Sequence, residues 1–522
     1  MGTPYNDALV AFDPGIKELK YLKTTMDRRK FIKNTAAYGA VLSVPFPFSN
    51  TLFAANLSSD LTDLSASDLS VAIRTKQASC VEVMQAYLHH IHRYNPVYNA
   101  IVSMVSDDEL LGLARQADQA LARNKYWGWM HGMPHAIKDL APVAGLPYTS
   151  GSPMFATRIA EEDSALVEKI RNQGAIFIGK TNTPEFGLGS QCYNPVFGTT
   201  GSACNPALTS GGSSGGAACG LGTHMLPVAD GGDMMGSLRN PGAYNNVIGF
   251  RPSTNVVMDE GDAKNRLLWT SGPMGRNTRD TIKLLQTIAL NPVFDDLNPL
   301  SLDKIKIGWL GNLNNYLAME PGILELCEAS LEDIAKAGAK VESMQPNFNM
   351  SDLWQSWTIM RHYGRMDMLD YYEDPDTRGL LKPELIWEIE QGLRFNEKDV
   401  GRANMIRTNW YAELDRMFGE YDFLVLPTAQ VFPFPKEIHW PKQINGREMD
   451  TYHRWMEVVI LGSLGGIPVV NVPVGFDAQG RPMGMQVMGK FGDDKKVLEF
   501  ALAYEQITDH LGKRPELIAV DD

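Results

Sequence analysis

Two serines, Ser213 and Ser214, stand side by side in the stretch SGGSSGGAACG (210–220), with glycine at 211, 212, 215 and 216. A second small-residue stretch, GGDMMGSLRNPG (231–242), carries a further serine, Ser237. Well upstream, HGMPHAIKDL (131–140) ends an apolar run on Lys138 and Asp139. Glycines admit backbone angles closed to other residues and let other groups come close, which suits a tight turn, a helix start, a phosphate cradle or an exposed hydroxyl nucleophile. The phosphate cradle lacks the GxxxxGK[ST] pattern and its lysine. A hydroxyl is a weak nucleophile and needs an adjacent base, yet no histidine or carboxylate lies inside the glycine stretch. Lys138 taken alone reads as an ordinary snorkelling lysine.

The elements around these residues alternate between helical and extended patterns. SCVEVMQAYLHHIHRYNP places Val83, Tyr87, Leu88, Ile91 and Tyr94 on one helical stripe that should end at Pro96. Its His89, His90 and His92 have no suitably spaced acid or cysteine beside them and read as a solvated face rather than a metal site. ALVEKIRNQGAIFIGK reads as a helix, a stop at Gly174 and a strand over 175–178. KIKIGWL (304–310) and FLVLPT (423–428) read as buried strands, with an amphipathic helix in GILELCEASLEDIAKAGA between them. IPVVNVPVGF and RPMGMQVMGK flank the turn DAQGR like a hairpin, and a helix follows. Such alternation predicts an α/β fold: a large mixed, twisted β-sheet covered by helices on both faces. Six tryptophans fall between 351 and 455 (Trp354, Trp357, Trp387, Trp410, Trp440 and Trp455), a density that core packing explains more simply than an aromatic-lined pocket.

Composition bounds the function. The 522 residues include 44% hydrophobic and 21% charged side chains, an ordinary globular balance. The formal charge of −13 offers no basic face for nucleic acid. No apolar run past the N-terminal region is long enough to span a membrane. The five cysteines (80, 192, 204, 219 and 327) show no CxxC spacing, so neither zinc nor a disulfide framework is indicated. A Cys192–Cys204 bridge stays open for an oxidising compartment.

Taken together, the Lys138–Asp139 pair, the GGSSGG box and the downstream GSLR box, in that order and spacing, resemble the amidase signature family. The resemblance runs from about 65 to 510 and includes KTNTPEFG (180–187), VIGFRPS (247–253) and GSLGGIPVVNVPVGFDAQGRPMGMQVMG (462–489). It implies one catalytic domain over 60–515 and a Ser-Ser-Lys triad: Ser237 as nucleophile, Ser213, held by a cis peptide, as proton relay, and Lys138 as base. It also implies an oxyanion hole from the backbone N–H groups of Met234, Met235, Gly236 and Ser237. Where Met235 stands the family usually has glycine, so a narrowed pocket is expected. Ser214, Asp233 and Arg239 are expected to support the triad, the last two by pairing, while His135 and His224 read as core or loop residues.

The physics of those roles makes a demand. Lysine serves as a base only when neutral, so Lys138 must be desolvated and Asp139 turned away from it. The expected activity is hydrolysis of a carboxylic amide, of small or medium size, through an acyl-enzyme. No cofactor, metal, nucleic acid or membrane span is expected, and a homodimer is left open. Two alternatives remain: a transamidase-type subunit of a glutamine-dependent transfer-RNA amidotransferase, and a non-catalytic binding protein on the same fold. Residues 1–55 read as an N-terminal extension in which RRKFIK (28–33), an apolar stretch and small residues near Ala54 resemble a twin-arginine export signal. This implies a periplasmic or secreted protein, with Met1 or Met26 as the start; without a working signal the expectation is a cytoplasmic one.

Overall fold

The structure, a computed structural model, describes residues 60–257, 268–292, 294 and 296–519. The expected export signal lies outside them. Eleven strands organise the description: β1 (Ile101–Val102), β2 (Pro134–Lys138), β3 (Ile176–Thr181), β4 (Val228–Asp233), β5 (Ile248–Arg251), β6 (Thr270–Gly275), β7 (Lys306–Trp309), β8 (Lys340–Ser343), β9 (Phe423–Pro427), β10 (Val469–Phe476) and β11 (Pro482–Met488). Eight form a mixed sheet in the order β8-β7-β9-β11-β10-β5-β6-β4. The β7 pairings with β8 and β9 are parallel, and the rest are antiparallel. With helices around this sheet, the fold is the α/β architecture expected. Strands β9 and β11 are buried along their full length and β10 along all but its last residue, Phe476, which is why their sequences read as nearly unbroken apolar runs.

A smaller sheet, β1-β3-β2, carries Lys138 at the end of β2. β3 runs through Thr181, beyond the short strand expected, because parallel pairing with β2 continues to Lys138↔Thr181. The small sheet meets the large one where β2 lies against β4, and the Lys138 backbone N–H donates to Asp230 Oδ2 at 3.3 Å across that junction.

Helix α1 (Cys80–Tyr98) starts in a capping box between Ser79 and Glu82. It does not stop at Pro96 but runs two residues further and ends where Asn99 takes a left-handed conformation (φ 52°). Pro96 sits in the last turn, so removing one N–H there shortens the helix's bonding without breaking it. Helix α2 (Ala165–Asn172) stops before Gly174 (φ 90°), as expected. Helix α3 (Gly215–Gly222) follows the serine pair, and α4 (Arg239–Tyr244) follows Ser237. Helix α5 (Ile323–Lys336) is the expected amphipathic helix between β7 and β9. Helices α6 (Met350–Gly364), α7 (Pro383–Gly392) and α8 (Glu397–Phe418) form the tryptophan-rich layer, and α9 (Asp494–Ile507) closes the domain. Trp354, Trp357, Trp410 and Trp455 are buried, so most of this cluster is core. All five cysteines are free, and Cys192 and Cys204 form no bridge.

Candidate active site

Lys138 is delivered to the interior by a strand that is buried throughout. Its ammonium nitrogen lies 2.7 Å from Ser213 Oγ, 2.8 Å from Ser214 Oγ and 3.5 Å from the Gly232 carbonyl oxygen. The Trp269 ring centroid is 5.6 Å away. Burial pushes the Lys138 pKa down to about 7, against smaller opposing contributions from Cys192, Asp230 and Asp233. Asp139 makes no salt bridge with its neighbour: it accepts from Thr149 Oγ1 and faces Lys180 at 3.9 Å. Desolvation of the lysine and the turning away of Asp139 are therefore both present in the geometry.

The two serines sit at the start of α3. The Gly212–Ser213 peptide bond is cis. Ser214 occupies the cap position of the helix yet makes no side-chain cap bond, because its hydroxyl is turned to Lys138. Close approach is needed here. A Cβ on Gly231 of β4 would stand 2.5 Å from Ser214 Oγ, so only glycine leaves room for that hydroxyl.

Ser237 lies on the loop between β4 and α4, just after Gly236 in a left-handed conformation (φ 81°). The Ser214 N–H donates to the Ser237 carbonyl at 3.2 Å, which brings the two serine loops together. Asp233 holds this loop from beneath. It accepts from the N–H groups of Gly236 (2.9 Å) and Leu238 (3.1 Å) and from Arg239 through Nε (3.0 Å) and Nη2 (2.9 Å). Arg239 extends this anchor to the Val459 carbonyl, Ser463 and Gln486 of β11. Burial alone would raise the Asp233 pKa, but Arg239, Arg251 and the backbone donors outweigh it and hold the carboxyl at about 2. The expected Asp233–Arg239 pairing is thus present and fully buried. One expected oxyanion donor differs: the Gly236 N–H is committed to Asp233, so it is turned to the loop's own carboxylate.

Ser237, Met234 and Met235 line a cavity of about 60 Å³ together with Gly187, Trp357, Arg361, Arg365, His453 and Met456. Both methionines are among its lining residues. A separate cavity of about 230 Å³ is lined by Lys138 together with Leu140, Tyr148 and Asp230, and Trp269 lines both. A polar cluster at the end of the smaller cavity has no counterpart among the residues expected from the sequence. Buried Glu388 of α7 accepts from Arg361 of α6 through Nε (2.8 Å) and Nη2 (3.1 Å), from His453 Nε2 (3.1 Å) and from Tyr452. These partners come from separate elements and follow no common periodicity. His135 pairs with Asp230 at 3.2 Å and His224 with Asp63 at 3.0 Å. On α1, His90 bonds the Thr223 carbonyl and His92 pairs with Asp107. Among the described residues, no group of three or more histidine, cysteine or acidic side chains is arranged to hold a metal, and no helix is long and apolar enough to cross a membrane.

Comparison with known proteins gives the family. A family model described as Amidase matches residues 82–498. The chain belongs to the amidase signature family. It is 30% identical to an acylamidase of Rhodococcus erythropolis over 471 residues, covering 87% of this chain and 97% of that protein. It is 28% identical to a glutamyl-tRNA(Gln) amidotransferase subunit of Thermosynechococcus vestitus, covering 85% and 97%. The fold of this amidase-family chain also matches the crystal structure of a bacterial aryl acylamidase (TM-score 0.79, 24% identity, 87% of this chain and 99% of that one).

Proposed function

We propose that the protein is a hydrolase of carboxylic amides that works through an acyl-enzyme on Ser237. The observation that carries this reading is the buried Lys138 nitrogen, 2.7 Å from Ser213 Oγ and with its pKa lowered to about 7. At neutral pH a large fraction of such a lysine is an uncharged amine with a free lone pair. Ser237 Oγ attacks the amide carbon and gives its proton to Ser213 Oγ, while Ser213 passes its own proton to Lys138 Nζ. As the tetrahedral intermediate collapses, the C–N bond breaks and the proton returns by the same route to the leaving nitrogen. Water then attacks the ester with the same assistance, releasing the acid and restoring Ser237. The backbone N–H groups of Met234, Met235 and Ser237 are the candidates for holding the developing oxyanion, since that of Gly236 is engaged. The 30% identical acylamidase supports the same reaction class.

The test is turnover of a short series of acyl anilides, with acid-quenched samples weighed intact. The expected result is a transient mass increase equal to the acyl group, mapped to Ser237 and lost in Ser237→Ala. Amide turnover that survives Ser237→Ala would overturn the reading. A second reading, in which the chain is the transamidase-type component of a larger complex, draws on the 28% identical relative. It requires glutamine as the amide donor, and glutamine-dependent ammonia release would favour it. For residues 1–55 we propose export, supported by RRKFIK and the apolar stretch after it. Fractionation should find the protein outside the cytoplasm, and a twin-lysine variant retained inside.

A further inference from the structure

We infer that the cavity beside Ser237 is built for an acyl group that ends in a free carboxylate, so that the substrate is an amide of a short dicarboxylic acid. This inference rests on the amide-hydrolase reading for the orientation of the substrate. The leaving nitrogen must meet the proton held by Ser213 and Lys138, and Lys138 opens into the larger cavity. The acyl part therefore lies in the smaller one, which contains Ser237 and excludes Lys138.

The chemistry of that smaller cavity is one-sided. Two guanidinium groups, Arg361 and Arg365, line it, and among the described residues no carboxylate does. Arg361 is neutralised in place by its paired bonds to Glu388 and sends Nη1 to Met234 Sδ at 2.7 Å. Arg365 has no such paired partner. It is more than nine-tenths buried, its Nε has no hydrogen-bond partner among the described residues, and the carboxylate facing it, Asp367, stands 3.9 Å from Nη2. A buried guanidinium left in this state is costly unless something planar and anionic completes it, and a carboxylate matches its fork. His453 does not supply the counter-charge. An imidazole carries no negative charge in either protonation state, and the Nε2 of His453 is directed at Glu388.

Size narrows the class. About 60 Å³ is room for about four to six non-hydrogen atoms, which fits the part of a succinyl or glutaryl group beyond the carbonyl. Because no acid among the described residues lines the cavity, an α-ammonium group would find no carboxylate partner among them. Glutamine is therefore disfavoured against a monoamide that carries the carboxylate alone.

The test is binding of the product acid, which needs no turnover and so stands apart from whether Ser237 attacks amides. Calorimetry on full-length Ser237→Ala protein would compare glutarate with hexanoate, at a pH where both are ionised. One carboxylate is common to the two, so the difference reads the second one. Glutarate is expected to bind at least about tenfold more tightly. Adding Arg365→Met should remove that preference, and Arg365→Lys should restore part of it, with the thermal midpoint recorded for each to separate binding from folding. Equal binding of the two acids, tighter binding of hexanoate, or no binding of either by folded protein that retains Arg365 would overturn the inference.

Discussion

Lys138 shows how position in a fold changes what a side chain can do. On a surface its ammonium would stay charged to above about pH 10; at the end of a buried strand, with two hydroxyls and a carbonyl as its polar neighbours, it titrates at about 7. Only the neutral form accepts the proton, so kcat/KM should be low below this pKa and rise through it to a plateau. A pH profile of amide hydrolysis checks this, and a flat profile from about pH 5 to 9 would argue against Lys138 as base. Lys138→Ala and Ser213→Ala should each lower kcat by about 10²–10⁴ if their part is proton transfer.

At the scale of elements, the site depends on the end of β2, the start of α3 and the loop after β4 coming together where the small sheet meets the large one. The Ser237 loop is tied down by a buried ion pair, and breaking such a pair by removing one partner leaves the other charge unpaired. Arg239→Met should therefore destabilise the protein by about 3–5 kcal/mol, read from the urea midpoint, and should also lower activity by loosening the Ser237 loop. A midpoint unchanged from the parent would show that the pair does not hold the loop. The residues of these loops were expected from the resemblance of the two glycine boxes and the Lys138–Asp139 pair to the family's boxes, since the glycine stretch by itself left several readings open. The alternation of apolar runs likewise revealed α2, α5 and the β10–β11 hairpin. Less local features stayed hidden. The end of α1 depends on how one turn tolerates Pro96, the length of β3 on its partner β2, and the Arg361–Glu388–His453 cluster on three elements meeting in space. The engagement of the Gly236 N–H by Asp233 turns on the detailed path of one loop, which residue types alone do not specify.

At the scale of the whole molecule, the buried lysine couples chemistry to stability. In the unfolded chain Lys138 keeps its proton to its ordinary pKa of 10.5, whereas in the folded protein it loses it at about 7. Below about pH 7 both states are protonated and the group adds no pH dependence. Between about 7 and 10.5 the unfolded state holds more protons, so stability rises with pH in this window, and Lys180, lowered by burial to about 8, acts in the same direction. Lys138→Met should remove one proton from that difference and reduce the slope by about 1.4 kcal/mol per pH unit. Urea unfolding of parent and variant at several pH values in the window checks it, and identical slopes would mean that Lys138 is not desolvated in the folded protein.

The most direct measurement is the intact mass of the protein after exposure to a serine-reactive fluorophosphonate, beside Ser237→Ala and Lys138→Ala. The predicted result is a single adduct on the parent, absent from Ser237→Ala and formed much more slowly on Lys138→Ala. A folded parent that takes no adduct, or an adduct that persists in Ser237→Ala, would contradict the assignment of Ser237 as a hydroxyl activated by Lys138.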